Sequence, residues 1–70
     1  METNVNKIFG QRVAEMRKKK GLSQEQFAFI CEVDRTYIGT IERGEKSPTL
    51  NTISKIAKAL GVSLSQLFDY

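Results

Sequence analysis

Arg35, Thr36 and Tyr37 stand in succession, with Thr40 and Arg43 following at helical spacing. A planar cation, hydroxyls and a phenol in this order suit the edges and backbone of a nucleic acid better than bond-making chemistry. The Arg35 guanidinium can donate two hydrogen bonds to guanine O6 and N7, discriminating against a wrong base by roughly 1–3 kcal/mol. Thr36 offers a hydroxyl to a base edge or a methyl to thymine, and Tyr37 can lie against the sugar-phosphate backbone with its hydroxyl on a phosphate. Gln24, Thr40, Arg43, Lys46 and Ser47 add polar groups able to contact phosphates. The competing account makes Arg35 a surface cation, Tyr37 a packed structural aromatic, and Lys46 and Ser47 ordinary loop chemistry before Pro48.

Other chemistries lack their residues. There is no histidine and a single cysteine, so no zinc ligand set, disulfide framework or acid-base and nucleophile constellation is expected, and no cofactor either. Cys31 reads as a small buried hydrophobe rather than a reactive thiol. The balance of 11 Lys and Arg against 8 Asp and Glu gives a formal charge of +3, which favours a nucleic acid only weakly. No apolar run has the length of a membrane span and no signal-peptide pattern opens the chain, so the expected compartment is cytoplasmic. Seventy residues suffice for one modest core, hence one domain over residues 1–70.

The elements that must position these groups are helices. Residues 1–3 read as a frayed end, after which Asn4 caps a helix running to about Lys19, with Phe9, Val13 and Met16 on one face and Ile8 beside it. Its basic last turn, Lys18 to Lys20, suits a helix C-terminus or a phosphate, and Gly21 ends it. Ser23 and Gln26 form a capping box that starts a second helix at Gln24. Phe27, Ala28 and Cys31 repeat at helical spacing, while Phe29 and Ile30 lie off that stripe, either packed on the first helix or forming a sticky outer patch.

Asp34 caps a third helix after a short turn, with Ile38 and Ile41 on its apolar face and Gly44 at its C-cap. Gly39 permits close approach of a flanking helix. Two short helices so joined read as a helix-turn-helix whose second member presents Arg35, Thr36 and Tyr37. Glu32 falls where the turn asks for positive φ, at a cost of about 1 kcal/mol relative to glycine. Glu42, three quarters of the way along the third helix, either pairs with Arg17, the basic residue directly after Met16, or is an ordinary exposed carboxylate; if the pair forms and both are desolvated, removing one costs roughly 3–5 kcal/mol. Thr49 caps a fourth helix carrying Ile53, Ile56, Ala57 and Leu60, ended by Gly61, and Val62 packs back on the core. Ser63 and Gln66 open a fifth helix, where Leu67 faces the core. Leu64 and Phe68 either close the monomer or extend outward with Leu50 into a two-fold interface.

From Phe9 to Leu67 the chain resembles the phage repressor and Cro-like helix-turn-helix family. The likeness rests on Arg17, G-L-S-Q at 21–24, Phe27 with Ala28, I-x-x-I-E-R-G at 38–44 and A-K-A-L-G-V at 57–62. It implies an all-α, compact five-helix domain that binds double-stranded operator DNA as a homodimer. D-R-T-Y-I at 34–38 is similar to the recognition-helix opening of restriction-modification controller proteins, which implies timed expression of an endonuclease relative to its methyltransferase, with activation and repression from adjacent sites. By that resemblance Arg35, Thr36 and Tyr37 lead the reading residues and Leu50, Leu64 and Phe68 the dimer residues. Glu25 matches a position where related activators present an acidic patch to the RNA polymerase sigma factor. Phe29 departs from that patch, and Glu32 from the usual turn glycine. The alternatives are a phage-type repressor, an antitoxin-like autoregulator, or a protein-interaction module that reads no DNA.

Overall fold

Each helix starts at a side chain able to satisfy one of its orphan amides, and those caps divide the chain. The computed structural model describes residues 4–70; the frayed end expected at residues 1–3 lies outside them. The helices are α1 (Val5–Lys19), α2 (Gln24–Cys31), α3 (Arg35–Glu42), α4 (Leu50–Leu60) and α5 (Leu64–Leu67). Asn4, Ser23, Asp34, Thr49 and Ser63 are the N-caps, each accepting from a backbone N–H of the first turn. Ser23 with Gln26 and Ser63 with Gln66 form reciprocal capping boxes. All five helices stand where the periodicity and the cap residues predict them, and the described residues contain no strand.

The core is drawn from every helix: Phe9 and Val13 of α1, Phe27, Ala28 and Cys31 of α2, Ile38 and Ile41 of α3, Ile56, Ala57 and Leu60 of α4, and Leu67 of α5. Leu22, Val33 and Val62 close it from the connections. Met16 is only half-buried and Ile8 faces outward, so the inner stripe of α1 is narrower than the expected face. Helix α2 packs chiefly on α3 and α4. Its outer side is therefore uncovered, and Phe29 and Ile30 form an exposed patch rather than a contact with α1.

Two glycines let α1 meet the end of α3. A Cβ at Gly10 would collide with the backbone carbonyl oxygens of Ile41 and Glu42, so only glycine admits this approach. Gly44, at φ +73°, reverses the chain after α3, and a Cβ there would stand 2.6 Å from the Lys7 Cα. Arg43, not Gly44, is the α3 C-cap; the glycine follows it in the left-handed conformation. Gly39 has a different role from the one expected. The groups nearest a Cβ at that position belong to the side chains of Arg43 and Gln24, not to a helix backbone.

Candidate nucleic-acid interface

Helix α2, a turn at residues 32–34 and α3 form the motif, in which Gln24 of α2 meets Glu42 of α3 and lies with Arg43 beside Gly39. The turn is tight because Val33 N–H donates to the Ala28 carbonyl while Glu32 sits at φ 60°, ψ 41°, in the left-handed region. Glutamate tolerates that conformation at a cost of about 1 kcal/mol. Asp34 then accepts from the Thr36 amide at 2.7 Å, fixing the first turn of α3. Arg35 and Thr36 are exposed on this turn, whereas Tyr37 is half-buried and packed against the core. The phenol is thus anchored by its ring, leaving only part of it to face a partner. Thr40 is also half-buried, and its hydroxyl donates to the Tyr37 carbonyl at 2.7 Å. A phosphate at Thr40 would have to take that proton from the helix.

One buried ion pair ties the motif to the rest of the molecule. Arg17 Nε donates to Glu42 Oε2 at 2.7 Å and Arg17 Nη2 to Glu42 Oε1 at 3.0 Å, a two-bond fork with side-chain exposures of 9% and 5%. Arg17 Nη1 also donates to the Leu22 carbonyl, joining α1 to the connection before α2. Gln24 Nε2 completes the cluster by donating to Glu42 Oε1 at 3.0 Å. Glu42 is the last residue of α3, later in the helix than its expected position, so its carboxylate holds α1, α2 and α3 at one point. Gln24 has a second N–H left for a phosphate at the start of α2.

Arg43, Lys46 and Ser47 extend the exposed surface past the end of α3. Arg43 is not free: its guanidinium forks onto Glu45, Nε to Oε2 at 2.9 Å and Nη2 to Oε1 at 3.2 Å. This hydrogen bonding and charge hold the Glu45 carboxyl below its ordinary pKa and raise that of Arg43. Glu45 is the contact that sequence reasoning missed; an E-R-G-E run carries an i, i+2 charge pair whose geometry depends on the turn at Gly44.

The apolar candidates are not all remote from these groups, since Phe68 and Ser47 line one hollow. Leu50, Leu64 and Phe68 are 84%, 52% and 45% exposed. Phe68 stacks on core Phe9 with ring centroids 5.1 Å apart, so one face closes the monomer while its rim stays open. Glu25 is exposed and shares an open hollow with Leu22, Gln26, Phe29 and Ile30. Cys31 is inside the core, where burial pushes its thiol up to about 11 against a smaller opposing effect of Lys55. Among the described residues no cluster of three or more His, Cys, Asp or Glu side chains is placed to hold a metal ion. No helix there is long and apolar enough to cross a membrane.

Known proteins share this arrangement. The family model described as helix-turn-helix matches residues 13–67. The control protein C.BamHI of Bacillus amyloliquefaciens is 46% identical over 71 residues, spanning 100% of this chain and 88% of its own. The control protein C.SmaI of Serratia marcescens is 42% identical over 64 residues, spanning 91% of this chain and 76% of its own. The crystal structure of the restriction-modification controller protein C.AhdI from Aeromonas hydrophila superposes with a TM-score of 0.90 at 44% identity, over 94% of this chain and 100% of that one. With its capped two-helix motif, a family match from residue 13 to 67 and a backbone that superposes on a controller protein over most of its length, the chain belongs to the helix-turn-helix family as a controller-like DNA-binding transcriptional regulator.

Proposed function

We propose that residues 1–70 act as one DNA-binding and dimerisation domain, a cytoplasmic homodimer that binds a two-fold operator and controls restriction-modification genes by activation and repression. The observation that carries this reading is the exposed pair Arg35 and Thr36 on the first turn of α3, a helix held from behind by the buried Arg17–Glu42 fork. Arg35, Thr36 and the free edge of Tyr37 read bases; Gln24, Thr40, Arg43, Lys46 and Ser47 meet phosphates and set register. Two such helices enter successive major-groove faces roughly 34 Å apart.

Leu50, Leu64 and the open rim of Phe68 bury against a second copy. Their exposure supports this, since a chain of this size gains stability from another chain's apolar surface. Glu25, exposed on α2, is the candidate contact to the polymerase sigma factor. The names of the relatives, control and controller proteins, support the regulated gene class.

Selection from randomised duplex DNA at fixed salt, with the mass of the selected complex recorded, tests the reading. An enriched two-fold motif held by a dimer is the expected result, and Arg35→Ala then lowers preference for that motif by about 1–3 kcal/mol relative to random DNA. Equal losses on both duplexes would remove Arg35 from base reading, and absence of enrichment would remove the operator function.

A further inference from the structure

Arg43 occupies the C-cap of α3, where a cation beside the groove would meet the DNA backbone. Its guanidinium has a defined seat. A side-chain carbon at position 39 would stand 3.1 Å from Arg43 Nη1 and 3.7 Å from Gln24 Oε1, so the bare backbone of Gly39 makes the slot over which Arg43 folds. From there Nε and Nη2 fork onto the two Glu45 oxygens, and the turn at Gly44, held by Glu45 N–H donating to the Thr40 carbonyl at 2.9 Å, brings that carboxylate back. Both side chains remain more than half exposed, at 56% and 54%, so a phosphate can reach the guanidinium that the carboxylate already holds.

We infer, on the DNA-binding reading above, that Glu45 is a specificity-determining residue that occupies Arg43 in the free protein and yields it to a phosphate only in the closely docked operator complex. Random-sequence binding comes mainly from neutralised phosphates and released counterions. A cation already forked onto a carboxylate adds no net charge to that attraction, so the pair removes one contributor from non-specific binding. In the operator complex, Arg35 and Thr36 seat α3 in the groove, bring a phosphate to its C-terminal end, and let the guanidinium exchange one oxyanion for another. Glu45 thereby weakens binding to random DNA more than binding to the operator.

The test is a double-mutant cycle on the full chain. Wild type, Glu45→Gln, Arg43→Gln and the double variant are titrated against the selected operator duplex and a scrambled duplex of equal length across a salt series. Matched thermal unfolding checks that all four fold alike. Glu45→Gln is expected to raise affinity for the scrambled duplex roughly threefold at low salt and steepen its salt slope by about 0.9, one phosphate's share. The operator gains less, so the preference ratio narrows. In the Arg43→Gln background the same change is expected to have a clearly smaller effect, limited to the lost repulsion between carboxylate and phosphate, because there is then no guanidinium to release. Equal gains in both backgrounds would reduce Glu45 to simple charge repulsion, and an unchanged preference ratio would deny it any role in specificity; either overturns the inference alone. Failure of the wild type to select any sequence would instead overturn the operator reading at the first step, and this inference with it.

Discussion

Two arginine–glutamate forks of nearly equal length serve this fold in opposite ways. Arg17 and Glu42 lie 25 residues apart, are almost closed to solvent, and bind α1 to α3. Arg43 and Glu45 lie two residues apart at the surface and bind nothing that the chain does not already hold together. Their chemistry is the same, but water sets different consequences. A buried pair costs desolvation that its Coulomb attraction only partly offsets, so removing one member strands a charge; at the surface, water takes the partner's place. The first pair is architecture, and the second is available for exchange with a ligand.

The largest effect that can break this contrast is at Glu42. Glu42→Ala leaves the Arg17 guanidinium with the Leu22 carbonyl alone and frees Gln24. It should lower unfolding stability by roughly 3–5 kcal/mol in urea titration. A loss no greater than a typical surface substitution would mean that Arg17 rehydrates easily and that the two pairs differ less than their exposures indicate.

Gly10→Ala strikes the same pair without touching either charge. The added methyl meets the Ile41 and Glu42 carbonyl oxygens and must push α1 off the end of α3, which also displaces Arg17 from Glu42. Overpacking of this kind costs about 1–3 kcal/mol. Combined with Glu42→Ala, the loss should be less than additive if the helix approach and the ion pair form one unit. Strict additivity in the same urea titrations would separate them.

Gly10 also shows where sequence reading stops. Helix starts were legible because Asn4, Ser23, Asp34, Thr49 and Ser63 carry their signal within three residues, and the core stripes because α-helical period is local. Arg17 with Glu42 was legible only through their places beside core residues, Arg17 directly after Met16 and Glu42 directly after Ile41. A glycine inside α1 carries no such mark: its reason is the backbone of α3, more than 30 residues away. Glu32 was visible in advance as a misfit because the turn, not the residue, fixed the expectation of positive φ. The outer face of α2 stayed undecided for Phe29 and Ile30, since no local pattern tells which neighbour a helix will leave uncovered. At the interface the order of Arg35 to Tyr37 was readable, but the half-burial of Tyr37 and Thr40 and the capture of Arg43 by Glu45 follow from how α3 tilts and ends.

The smallest effect belongs to the exposed pair and is the sharper half of the contrast. Glu45→Gln should lower the thermal midpoint at neutral pH only slightly, far less than Glu42→Ala does, because both partners are open to water. The direction with pH is nevertheless fixed. Arg43 holds the Glu45 carboxyl below its unfolded value, so the folded chain takes up that proton less readily than the unfolded chain. Whatever the pair contributes is therefore present above the ordinary carboxylate range and fades as pH falls through it. Differences between wild type and Glu45→Gln in matched thermal scans should shrink on acidification and stay flat from neutral to mildly alkaline pH. A neutral-pH loss comparable to that of Glu42→Ala would place the Arg43–Glu45 fork among the contacts that hold α3 in place. It would then be too firmly held to exchange with a phosphate.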